Sequence, residues 1–178
     1  MLILVRHAQP QIDPATPAPQ WSLSADGRLA AAALADRIAR FAPRAAVASP
    51  EPKALETARV LAAPLGLAVD ADGGFAEQHR PNLPFGSREA FEARMAAAFA
   101  EPATSPFGGE SADAAHDRFV AALARHAARP LLVVTHGTVL SLYLSRSLAL
   151  EPFPLWKSLA LPEAFILDAE GRLRARVA

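Results

Sequence analysis

Two short apolar runs in this chain each end in a histidine. Residues 2–5, LILV, run into Arg6, His7 and Ala8; residues 131–134, LLVV, run into Thr135, His136 and Gly137. A neutral imidazole is a nucleophile near neutral pH, and an arginine beside it grips a phosphate with fixed, two-pronged geometry. One histidine could accept a phosphoryl group while the other donates a hydrogen bond to its oxygens. Amides at the start of a helix that begins after Gly137 would add to the same anion site. Two other readings stand beside this one. A histidine at a strand end is often a satisfied core or capping residue, although two at matching positions weaken that reading. A histidine pair can also hold a metal, but no Asp-x-His, His-x-x-x-His or cysteine accompanies either one.

The elements that must position these residues follow from periodicity. Four apolar residues bounded by a polar break read as a strand buried on both faces, typical of parallel sheets covered by helices. Ligands bind at the carboxyl edge of such sheets, and if the two strands are neighbours their histidines meet there. After a proline-rich loop at residues 14–19, a helix is predicted over roughly residues 25–41, with Ser24 as N-cap and Leu29, Leu34, Ile38 and Phe41 on its apolar side. RAAVAS reads as a second strand, PEPKALETARVLAAPLG as a helix with proline in its first turn and Gly66 beyond its end, and LAVD at 67–70 as a third strand. A loop over residues 72–87 precedes helices in REAFEARMAAAFA and ESADAAHDRFVAALARHAA; TVLSLYLSRSLAL is a further helix. AFILD and RLRARVA read as edge strands around the turn AEGR. The expectation is an α/β fold in a single domain spanning residues 1–178.

Composition narrows the function. The 178 residues carry 18 basic and 18 acidic side chains, so the positive excess that nucleic acid or a membrane surface normally demands is absent. There are no cysteines, which removes thiolate chemistry and disulfides. Neither a signal peptide nor an 18-residue apolar span is found, so the expectation is a cytoplasmic protein acting on a small molecule.

LVRHAQP resembles the arginine-histidine-glycine signature of the histidine phosphatase superfamily, the phosphoglycerate mutase-like family, and VVTHGTV resembles its second histidine motif. WSLSADGRLAAAALADRI, ASPEPKALETA and GGES are similar to further blocks of that family, in the same order along the chain. The resemblance implies a three-layer α/β/α sandwich with a mostly parallel central sheet, a phosphohistidine intermediate and no cofactor or metal. It makes His7 the nucleophile, with Arg6 and His136 as phosphate partners. Thr135 reads either as a further pocket donor or as an ordinary β-branched strand residue, and Gly137 enters the phosphate pocket through the helix amides that follow it. Glu77, in FAEQHR, matches the family's general acid; a protonated carboxyl there would give its proton to the leaving alcohol and then activate water. His79 is a rival acid, and Arg80 a candidate cation on the substrate side.

Three positions depart from the family pattern. Lys53 stands where a second phosphate-binding arginine is usual, keeping the charge but losing the planar fork. Asp13 replaces an asparagine and could repel a phosphate, pair with Lys53 or face solvent. Ala8 replaces the glycine after the first histidine. These departures support a second hypothesis, a weakened or inactive member that binds a phosphorylated ligand without turnover. Between mutase and phosphatase, little chain remains after AFILDAEGRLRARVA to form a lid against water, which favours hydrolysis. Glu77 favours phosphate esters, whose leaving group needs a proton. Residues 78–106 would form the substrate wall, their Phe85, Phe91 and Phe99 reading more readily as core than as recognition.

Overall fold

Leu2–Arg6 (β1) and Leu131–Thr135 (β4) lie side by side and parallel, with Leu2 opposite Leu131 and Arg6 opposite Thr135. On the far side of β4 the parallel array continues with Ala45–Ala48 (β2) and Val69–Ala71 (β3). On the far side of β1 an antiparallel hairpin, Glu163–Leu167 (β5) and Leu173–Val177 (β6), completes a six-stranded sheet of order β3-β2-β4-β1-β5-β6. The computed structural model describes residues 1–84 and 86–178; Phe85, which the sequence places in the wall beside the site, lies outside the described residues.

Both faces of the sheet are covered, which is why the central strands are apolar without alternation. Ile3, Val5, Leu132 and Val134 pack against Leu34 and Ile38 of α1 (Ala25–Ile38) and Ala58 and Leu61 of α2 (Pro52–Ala62). Leu4, Leu131 and Val133 face the other layer. That layer holds Met95 of α3 (Arg88–Ala100), Phe119 of α4 (Ala112–Arg125), Leu140 of α5 (Gly137–Leu148) and Leu155 of α6 (Pro152–Ser158). The result is a mostly parallel α/β/α arrangement of the kind the sequence implies.

Two details differ from the sequence reading. β5 is not an edge: it sits between β1 and β6 with all five residues buried, and only β6 closes the sheet on that side. Its uninterrupted AFIL run is the pattern of a strand covered on both faces, as in β1 and β4. Leu29 is 71% exposed, and α1 instead buries the stripe Gly27, Ala31, Leu34, Ala35 and Ile38. Small residues are prominent in that stripe because the chain just beyond His7 passes close to it.

That close pass is specific. Ser24 caps α1 by accepting from the Gly27 amide at 3.0 Å, while its own amide and hydroxyl donate to the Gln9 carbonyl at 3.0 and 3.1 Å. A Cβ on Gly27 would stand 2.2 Å from that same carbonyl oxygen. Glycine to alanine in an unobstructed helix gains about 0.5–1 kcal/mol. Here the clash reverses the sign, and Gly27→Ala is expected to destabilise by about 1–3 kcal/mol in urea denaturation. A stabilised variant would contradict this account of the junction.

Candidate active site

The parallel ladders continue one residue past the strands. The amides of His7, Ser49 and Asp72 donate to the carbonyls of Thr135, Val134 and Ala48 at 2.9, 3.0 and 2.9 Å. His7, Ser49, Asp72 and His136 therefore leave the sheet along one carboxyl edge. The His7 and His136 rings meet edge to face there, with centroids 5.1 Å apart.

Each ring is set by what its nitrogens face. His7 Nδ1 lies 2.7 Å from the Ala8 carbonyl oxygen, an atom that can only accept, so Nδ1 carries the hydrogen and Nε2 the lone pair. Burial pushes the His7 pKa down to about 3, reinforced by Lys53 and Arg6 and only partly offset by the Ala8 carbonyl. His136 is fully buried and is driven well below its usual pKa by the same desolvation, then by His7 and Lys53. Its Nε2 faces the Ser49 hydroxyl at 2.8 Å and a Glu51 carboxylate oxygen at 3.4 Å, which marks Nε2 as the donor nitrogen. His136 Nδ1 and Arg6 Nε are buried without a partner among the described residues.

The charged residues fill in around this pair. Arg6 donates through Nη1 to the Leu159 carbonyl at 2.7 Å. Buried Glu163, opposite Arg6 on β5, accepts from the neighbouring Ala160 amide at 2.9 Å and pairs with Arg176, so it fixes the segment that holds Arg6. Gly137 leaves room for the guanidinium, since a Cβ there would lie 3.2 Å from Arg6 Nε. Lys53 is buried close to both histidines, but its ammonium is committed to the Ala18 carbonyl at 2.9 Å and to Glu51 at 2.5 Å.

Glu77 reaches the site from the loop after β3, and its role there is richer than the sequence suggests. Its carboxylate accepts from the amides of Gln78, Thr138 and Val139 at 2.8, 3.0 and 3.3 Å and lies 3.9 Å from Arg80. It thus occupies the first turn of α5, where the sequence implies open amides. Desolvation pushes its carboxyl up, but Arg80 and the three amides pull it further down, so it is ionised in this state. The Thr135 hydroxyl donates to the Phe75 carbonyl at 2.8 Å, which commits its only proton away from the histidines. His79 is exposed and faces Gly109. Asp13 closes its own turn, accepting from Ala15 N at 2.9 Å, and is exposed rather than paired with Lys53. Phe91 and Phe99 pack against Trp156, at 5.5 and 6.3 Å between ring centroids.

A family model described as histidine phosphatase superfamily (branch 1) matches residues 2–167. The chain belongs to the histidine phosphatase superfamily. No curated protein matches the sequence. Among solved structures, a mycobacterial glucosyl-3-phosphoglycerate phosphatase in complex with VO3 is similar at TM-score 0.74 and 22% identity, covering 98% of this chain and 97% of that one. A mutant phosphoserine phosphatase from Entamoeba histolytica, in complex with phosphoserine, superposes at TM-score 0.72 and 19% identity over 99% and 96% of the two chains. An alpha-ribazole phosphatase from Shigella flexneri does so at TM-score 0.72 and 20% identity, again over 99% and 96%. At these identities the likeness is one of fold.

Three residues that shape this histidine cluster escape a sequence reading. Glu51 is one. Ser49, the partner of His136, is visible in the sequence only as a strand end. Arg118 of α4 is the third: it forks onto Glu110 with two 2.8 Å bonds and donates to the carbonyls of Gly74 and Ala76 at 2.8 and 3.0 Å. It thereby holds the loop that delivers Glu77, and the glutamate of the GGES block acts through it. Among the described residues, no group of three or more His, Asp or Glu side chains could hold a metal ion, and no helix is long and apolar enough to cross a membrane.

The neutral histidine pair has a thermodynamic consequence. Between the unfolded value of 6.5 and the folded value of about 3, the unfolded chain binds a proton at His7 and the folded chain does not. Stability should therefore be fully present above pH 6.5 and decline as pH falls below it, at up to about 1.4 kcal/mol per pH unit for such a site. Urea denaturation at descending pH is expected to show this decline, with a shallower slope in His7→Gln. A wild-type stability that stays level from neutral pH to about pH 5 would contradict the assignment.

Proposed function

We propose that this protein is a metal-independent phosphatase that hydrolyses small phosphate monoesters through a phosphohistidine on His7. The observation that carries the reading is the His7 ring itself. Its Nδ1–H is committed to the Ala8 carbonyl, so the lone pair sits on Nε2, and burial keeps the ring neutral throughout the physiological range. Nε2 attacks phosphorus as the ester P–O bond breaks. Arg6 stabilises the negative charge on the transferred group, and the His136 Nε2–H joins it by turning from the Ser49 hydroxyl to a phosphoryl oxygen.

Glu77 serves as acid and then base in this scheme. It is ionised in the free protein, so a proton must reach it in the complex, where the nearby phosphoryl charge raises its pKa. It then protonates the leaving alkoxide, and in the second step takes a proton from the water that displaces His7. The phosphatases of similar fold named for glucosyl-3-phosphoglycerate, phosphoserine and alpha-ribazole support a phosphate ester of a small metabolite as substrate.

Binding without turnover is the second reading. It draws on Lys53, whose ammonium is already held by Ala18 and Glu51. Turnover of a generic phosphomonoester with and without chelator separates the possibilities. Hydrolysis unaffected by chelator is expected, abolished in His7→Ala and reduced on the order of 100-fold or more in His136→Ala. Activity lost on chelation and restored by a divalent ion would point to a metal centre instead. Binding of phosphate with no hydrolysis across a broad panel would favour the second reading. Lys53→Arg, which restores a planar fork, is expected to preserve or raise turnover, and Lys53→Ala to lower it; equal turnover in both variants and wild type would place Lys53 outside the phosphate pocket.

A further inference from the structure

Glu51 stands between the donors that a phosphoryl group would need. One of its carboxylate oxygens lies 3.4 Å from His136 Nε2 and accepts from the Glu77 amide at 2.9 Å; the other is 2.5 Å from Lys53 Nζ. The side chain is only 12% exposed. Its backbone is pinned as well: Pro50 and Pro52 flank it, and the residue before a proline is confined to the extended region, where Glu51 sits at φ −63°, ψ 132°. Swinging the carboxylate away would orphan the Glu77 amide and unpair a buried ammonium, so an incoming phosphoryl group meets Glu51 in place.

The charges around that point are close to balanced. Lys53 is paired with Glu51, and Arg80 faces Glu77. Arg118 lies near enough to feel both carboxylates but is forked onto Glu110. His7 and His136 are neutral, which leaves Arg6, among the described residues of the site, as the cation not matched by a carboxylate within ion-pair distance. A dianionic phosphoryl group here would bring a negative oxygen against Glu51 and be repelled. A singly protonated one turns the same contact into a charge-assisted hydrogen bond, its P–OH donating to the Glu51 carboxylate.

We propose that Glu51 is a specificity-determining residue that makes this pocket take the phosphoryl group as its protonated monoanion. The inference rests on the phosphate-pocket reading above, and it concerns binding rather than turnover. The second proton of a phosphate ester is lost near pH 6, and that of inorganic phosphate near neutrality, so the selection operates in the physiological range.

Calorimetric binding of inorganic phosphate and of sulfate tests it. Sulfate has the same tetrahedral shape but is doubly charged throughout this range. Wild-type affinity for phosphate is expected to follow the monoanion fraction, falling about fivefold to tenfold from about pH 6 to pH 8, with sulfate about tenfold or more weaker than phosphate at pH 6. Glu51→Gln, which keeps an acceptor for the Glu77 amide, should bind phosphate at pH 8 about tenfold more tightly than wild type and lose most of the pH slope. Sulfate binding as tightly as phosphate at pH 6, or phosphate affinity level or rising toward pH 8, would overturn the proposal on wild-type protein alone. Turnover reports separately: the expected slope in a protein that hydrolyses nothing would retain Glu51 selection and reject the phosphatase reading, and hydrolysis with a flat slope would do the reverse.

Discussion

Two imidazoles packed edge to face at 5.1 Å in a buried corner, with Arg6 and Lys53 nearby, cannot afford a proton's charge on either ring. Neutrality then forces a choice of tautomer, because each ring has one N–H that needs an acceptor and one lone pair that does not. For His7 the acceptor is the carbonyl of the next residue; for His136 it is the Ser49 and Glu51 pair. The parallel pairing of β1 with β4 sets the distance between the rings, and the groups around each ring set which of its nitrogens faces the pocket. A nitrogen with a free lone pair and a donor nitrogen are thus presented together without any charge on the histidines themselves.

The surrounding electrostatics follow from that neutrality. Because the rings bring no positive charge, the site depends on Arg6, Lys53 and Arg80, and two carboxylates offset the latter two. Glu77 is tied to the first turn of α5, the place where a helix end favours an anion. Its loop is held by the Arg118 fork and by Asp72, whose pKa of about 2 reflects desolvation outweighed by bonds from Arg125, the Gly74 amide and His126. Glu163 does the same service for Arg6 through the Leu159–Ala160 segment. The histidines, Arg6 and Glu77 are accordingly fixed by ion pairs and hydrogen bonds from several different elements, the arrangement expected where geometry must be held to a fraction of an ångström.

Much of this architecture is legible in the amino-acid sequence. The LILV and LLVV runs are buried on both faces and so advertise themselves without alternation, and Ser24 and Gly66 mark helix ends through local backbone chemistry. What is not legible arises from proximity across the fold. Glu51 reads as a helix-start acid between prolines until β2 and β4 bring it to His136. Thr135 reads as a pocket donor until Phe75 is found beneath its hydroxyl. Arg118 looks like a surface residue of an amphipathic helix, yet it is committed to a loop more than forty residues earlier in the chain. The edge assignment of the AFIL strand fails because position near the chain end says less about burial than an uninterrupted apolar pattern does.

The proposed chemistry stands on a covalent bond between His7 Nε2 and phosphorus. Rapid quenching of the enzyme during turnover of an isotopically labelled phosphomonoester, followed by peptide mapping under alkaline conditions that preserve phosphohistidine, tests it directly. An acid-labile phosphoryl group is expected on the peptide containing His7, attached at Nε2 and formed fast enough to precede steady-state product release. A label on another residue, or turnover with no covalent phosphoryl enzyme at any quench time, would contradict it.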